Sequence, residues 1–125
     1  MKSKALSDLE QDAMNIIWEY GHCSVRDVLE RINKKKKLAY TTIATILQRL
    51  YDKGLVTRTN NEVVFYYSPK LSKENYSKNM ARSFIAKFFN SFGDTAISSF
   101  AESIEELPKN KKEYFLKLLI KHETK

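Results

Sequence analysis

The stretch Ala39-Tyr-Thr-Thr-Ile-Ala-Thr-Ile-Leu-Gln-Arg-Leu-Tyr-Asp-Lys-Gly54 admits little besides an amphipathic helix. Ile43, Ile46, Leu47 and Leu50 fall at the i, i+3, i+4, i+7 spacing that gathers side chains on one side of a helix, so this side faces a core. The opposite side carries Thr41, Thr45 and Gln48, flanked by Thr42, Ala44 and Arg49. All are short or hydrogen-bonding groups able to approach base edges closely. Gly54 supplies the left-handed stop. The Lys34–Lys37 run before the helix and the β-rich segment after it suit a helix meant for the major groove of DNA.

At 125 residues and 42% hydrophobic content, the chain is long enough for one folded domain plus an appendage. No apolar stretch approaches the ~20 residues of a bilayer span, and Asp8, Glu10 and Asp12 stand where a signal peptide would be apolar. The expectation is a cytoplasmic protein with no membrane insertion. One cysteine, Cys23, excludes an internal disulfide and leaves no Cys pair for zinc, so no metal and no cofactor are expected.

The net charge of +7 is concentrated. Between Arg31 and Arg58, eight cations (Arg31, Lys34, Lys35, Lys36, Lys37, Arg49, Lys53 and Arg58) face Asp52 alone, which accounts for the whole excess. Such confinement is the electrostatic footprint of phosphate contact, Lys35 and Lys36 in particular; the alternative is a solvated lysine loop.

Ser7 and Glu10 form a capping box opening a first helix, in which Leu9, Ala13, Ile16, Ile17 and Tyr20 share a face until Gly21. Met14 and Trp18 make a second apolar strip, which places Trp18 in the core. Ser24 with Asp27 starts a second helix whose Val25, Val28, Leu29 and Ile32 point inward. After Gly54 the period changes: Leu55–Thr59 and Val63–Ser68 read as strands, joined by Asn60-Asn61-Glu62, and Pro69 closes the second. Three helices followed by a hairpin describe a winged helix-turn-helix, in which the third helix reads DNA and the hairpin grips the backbone.

The fold class is therefore mainly α: a winged-helix DNA-binding domain over residues 1–71 and a helical dimerisation domain over 72–125. Six of the seven phenylalanines lie beyond residue 83. Phe84, Phe88, Phe89, Phe92, Phe100 and Leu118 sit in helices expected near Lys73–Ser91, near Asp94–Glu105 and after Pro108. So short a segment cannot bury them alone. A second copy of the chain would, holding two reading helices about one DNA turn (~34 Å) apart. The alternative packs them on the chain's own N-terminal domain.

Ala13-Met-Asn-Ile-Ile-Trp18, the block from Thr41 to Val56, and Phe65-Tyr-Tyr-Ser-Pro69 resemble the BlaI/MecI family of penicillinase repressors, which also includes CopY copper regulators. The likeness is close over residues 6–69 and looser beyond. It implies a homodimeric winged-helix repressor on inverted-repeat operators, with Thr42, Thr45 and Arg49 facing DNA and the C-terminal helices intertwined. CopY-type members end in a cysteine cluster for copper, whereas this chain has no cysteine after Cys23. In the antibiotic-responsive members a membrane sensor protease triggers cleavage at an Asn-Phe bond; the counterpart here is Ser99-Phe100, which keeps only the Phe. Gln11 replaces the first tryptophan of the family's helix one.

Single residues keep alternatives. Thr41, Thr42, Thr45 and Gln48 read bases or merely solvate a face, and Arg49 contacts DNA or forms a surface ion pair. Tyr40 bonds a phosphate or packs under Ile43. Arg58, Asn60 and Asn61 approach phosphate or a minor groove, or simply build the hairpin. Asp52 would repel phosphate unless the helix end diverges from the duplex. His22 and Cys23 adjoin a turn and form a metal or redox site or serve a structural role, which the lack of further ligands favours. No catalytic constellation emerges, since His22 and His122 lie far apart and there is no glycine-rich phosphate loop, so no enzyme is expected. Two other functions stay open: a winged-helix regulator responding to a small hydrophobic effector held among the phenylalanines, and a winged helix serving as a protein interaction module.

Overall fold

The computed structural model describes residues 5–123. Its elements run α1 (Asp8–Tyr20), β1 (Cys23–Ser24), α2 (Val25–Ile32), α3 (Tyr40–Asp52), β2 (Val56–Asn60), β3 (Phe65–Pro69), α4 (Lys73–Phe92), α5 (Asp94–Glu105) and α6 (Lys109–Glu123). Among the described residues no helix is long and apolar enough to cross a membrane. The chain forms two compact units, dividing between Arg82 and Ser83 within α4.

In the first unit both capping boxes form. Ser7 Oγ accepts from the Glu10 amide and Glu10 Oε1 from the Ser7 amide; Ser24 and Asp27 repeat the exchange at α2. Each box satisfies two otherwise orphaned N–H groups at a helix start. Gly21 (φ 81°) and Gly54 (φ 80°) take the positive dihedrals that let the chain leave α1 and α3.

Ala13, Met14, Ile17, Val25, Val28, Leu29, Ile32, Ile43, Ile46, Leu47 and Leu50 are buried and merge into one core, joined by Leu55, Val56, Tyr67 and Tyr76. Trp18 sits at its edge, half-buried. Its indole Nε1 donates to the Leu71 carbonyl at 2.9 Å and its ring lies 5.5 Å from Tyr76, so a polar handle draws it outward from the centre. Tyr20 departs from the expected core face. It is exposed, with the Arg31 guanidinium 3.7 Å above its ring, because the last turn of α1 passes the end of the core and a cation covers the ring instead.

The sheet order is β1-β3-β2, all antiparallel. The two-residue β1 pairs Cys23 with Tyr67 and Ser24 with Tyr66, too short to show any period in the sequence. The hairpin turn is longer than three residues. It spans 61–64, where Asn61 Oδ1 accepts from the amides of Val63 and Val64 and Glu62 takes φ 86°.

Lys53, just past α3, donates to Glu10 Oε1 at 2.8 Å and thereby ties α3 to the start of α1. Burial pushes the Glu10 carboxyl up, but the Lys53 ammonium and Ser7 outweigh it and hold it below the usual value. A carboxyl depressed on folding contributes stability that is present above its unfolded pKa and lost as pH falls through the folded one. Glu10→Gln is therefore expected to lower the melting temperature at neutral pH and to flatten its decline in acid. Parallel wild-type and variant melting curves across that range would remove this role from the pair.

In the second unit, residues 83–92 of α4 are followed by α5 and α6. Gly93 (φ 60°) breaks α4 from α5, and the Pro108 carbonyl accepts from the Lys111 and Lys112 amides to start α6. Phe88 stacks with Phe84 at 5.5 Å and lies 5.4 Å from Phe92, and Phe100 meets Phe115 at 6.4 Å. Ala96 is buried, whereas Phe84 (57% exposed), Phe92 (60%), Ile97, Leu116, Leu119 and Ile120 are exposed.

Candidate nucleic-acid interface

The Ile43, Ile46, Leu47, Leu50 face of α3 is buried, which fixes the opposite face outward. Thr41, Thr45, Gln48 and Arg49 are exposed there and Thr42 is half-buried. Thr41, Thr42, Thr45 and Arg49 line a shallow open depression. The N-terminus of α3 begins at Ala39 with no side-chain cap and no acidic residue in the first turn. The positive end of the helix dipole is thus left uncompensated, as at helix starts that receive phosphates. Tyr40 stands at this end, exposed, with the Arg26 guanidinium 5.5 Å from its ring. Arg26 has no periodic or motif signal in the sequence that would have marked it.

The lysine run continues α2 by a short turn, in which the Lys35 and Lys36 amides donate to the Ile32 carbonyl. Asn33 Oδ1 then accepts from the Leu38 amide and leads the chain into α3. Lys34, Lys35, Lys36 and Lys37 are all exposed. Lys36 Nζ lies 3.3 Å from Asp12, but both side chains are about half exposed, and a solvated pair of this kind holds a lysine weakly. Arg49 takes part in none of the ion pairs among the described residues.

Gln48 is held at both ends. Its Nε2 donates to Asp52 Oδ1 at 3.0 Å, and its Oε1 accepts from an Arg58 guanidinium nitrogen at 2.7 Å. Arg58, on β2, lies 4.1 Å from the Tyr51 ring centre and 4.4 Å from that of Phe65. The Asp52 carboxylate is thus turned toward Gln48, a partner one helical turn back that the i, i+4 spacing makes available. The tip of the hairpin exposes Asn60, Asn61 and Val63. His22 belongs to the sheet surface: its ring stacks on Tyr66 at 4.8 Å and its Nδ1 lies 3.0 Å from Ser68 Oγ. Cys23 is buried beneath.

The family model described as penicillinase repressor matches residues 6–120. The chain belongs to the penicillinase repressor family. Its relatives include the penicillinase repressor of Staphylococcus aureus, 31% identical over 104 residues that span 83% of this chain and 82% of that one. The methicillin resistance regulatory protein MecI of S. aureus strain N315 is 28% identical over 120 residues, 96% of this chain and 97% of its own. The solution structure of the Bacillus licheniformis BlaI monomeric form in complex with the blaP half-operator matches with a TM-score of 0.50 and 29% identity, covering 60% of this chain and 92% of that chain. Membership of the penicillinase repressor family thus extends through the C-terminal helices, where the sequence blocks are loosest. Gln11 Nε2 donates to Asn15 Oδ1 at 3.0 Å, an exposed polar contact one turn along α1.

Proposed function

We propose that this penicillinase repressor homologue is a homodimer that represses transcription by binding double-stranded DNA at an inverted-repeat operator, with α3 in the major groove. The observation that carries the reading is the threonine-lined outer face of α3, beginning at a capless, acid-free helix start beside exposed lysines. The relative solved on its half-operator binds DNA, and its match to this chain supports the same role here. Thr41, Thr42, Thr45, Gln48 and Arg49 face the bases and their flanking phosphates, Tyr40 stands at the phosphates, and Lys35 and Lys36 neutralise the backbone. The exposed Phe84, Phe92 and Leu119 supply the apolar surface on which two copies join.

Relief of repression by a sensor protease at Ser99-Phe100 fits a two-step event. The bond lies inside α5, with Ser99 exposed and Phe100 half-buried, so cleavage requires local opening of that helix.

The test is a titration of duplex DNA at several salt concentrations. The double substitution Lys35→Gln with Lys36→Gln is expected to weaken specific and random duplexes together and to reduce the salt slope by about 2. An unchanged slope would remove these lysines from the backbone. A wild-type chain indifferent to duplex DNA at low ionic strength would overturn the function.

A further inference from the structure

The Arg58–Gln48–Asp52 chain goes further, if α3 lies in the major groove as proposed above. A glutamine amide looks nearly symmetric, but its two ends differ: the oxygen only accepts and the NH2 only donates. Here the flanking partners remove the ambiguity. Asp52 offers only acceptors and faces Nε2 at 3.0 Å; the Arg58 guanidinium offers only donors and faces Oε1 at 2.7 Å. A flipped amide would set NH2 against guanidinium and oxygen against carboxylate, losing both bonds. Arg58 is itself fixed by the rings of Tyr51 and Phe65, at 4.1 and 4.4 Å. After these two bonds the amide of Gln48, an exposed residue of α3, has one N–H and one oxygen lone pair left to offer a base. That donor–acceptor couple is the one that adenine meets in the major groove through N7 and N6, whereas guanine presents two acceptors.

We propose that Arg58 is a positioning residue that, from the wing, locks Gln48 to read adenine. It touches Gln48 and the two rings, and its role differs from the phosphate contact expected of a basic wing residue. In this arrangement the hairpin contributes to sequence choice without reaching a base.

The experiment selects duplexes from a random-sequence pool with the full wild-type chain, then replaces each adenine of the recovered site in turn with 7-deazaadenine, which lacks the N7 acceptor. Wild type is expected to lose about tenfold in affinity at one adenine per bound chain, and Gln48→Ala to be insensitive there. Arg58→Met removes every donor while keeping an unbranched stem; it is expected to lose the same sensitivity with its salt slope unchanged. Asp52→Asn removes the acceptor-only partner of Nε2 and should weaken the discrimination without abolishing it, since Arg58 still faces Oε1. Equal melting temperatures establish that the variants are folded. Full discrimination retained by Arg58→Met overturns the proposal, and a salt slope lowered by about 1 beside it is the behaviour of a phosphate contact. Sequence-selective binding with no adenine dependent on Gln48 overturns the positioning alone. A wild-type chain that recovers no sequence and ignores duplex DNA overturns the DNA reading beneath it.

Discussion

Leu47→Ala is expected to cost the first unit about 2–5 kcal/mol, the range for emptying a fully buried leucine site. Leu47 has no exposed surface and lies midway along α3, in the core shared with Ile17, Val28 and Leu50. The helices around it are held at fixed points: Lys53 is tied to Glu10, and the Trp18 indole to the Leu71 carbonyl. Collapse into the vacated space is therefore restricted, and the cavity term adds to the lost transfer energy. Natural domains have only about 5–15 kcal/mol in hand, so the loss is a large share of the total. Denaturant unfolding should show a lower midpoint at an unchanged slope. A loss below about 1 kcal/mol would mean that the core repacks freely around position 47.

Phe84→Asp combined with Phe92→Asp is expected to convert the proposed dimer into monomers. Both rings are more than half exposed, so each protomer gives up little of its own packing, whereas a face shared by two copies would have to bury two unpaired carboxylates per chain. Sedimentation should report the mass of a single chain while helical content is retained. On DNA the variant should occupy half-sites independently, without the avidity that a linked pair of reading helices provides. An intact dimer would displace these phenylalanines from the interface.

Periodicity and capping chemistry made the first unit readable. The Ser7/Glu10 and Ser24/Asp27 boxes start their helices where the residue types demand, and the four-residue apolar set of α3 is buried throughout. Gly93 and Pro108 likewise bound the later helices close to where the composition suggested. What escaped was non-local. Tyr20 satisfies the helical period of α1, yet no period says where a core ends. β1 is too short to alternate and exists only because β3 lies beside it. Within the candidate site, the outward threonines follow directly from the buried face. The Gln48–Asp52 bond is visible as an i, i+4 pair, but Arg58 lies ten residues from Gln48 across a turn, and only the folded hairpin brings it there. The same helix engages the Asp52 carboxylate through Gln48 one turn back.

Because β3 is the middle strand, its two edges impose register at once: Tyr67 faces Cys23 on one side and Arg58 on the other. An insertion inside β3 would rotate buried Tyr67 to the solvent face and break both ladders together. Residues 61–64 carry no such double constraint. Divergence among chains of this architecture should therefore accumulate at that fingertip, letting one lineage lengthen its reach along a groove while the palm behind it stays unchanged.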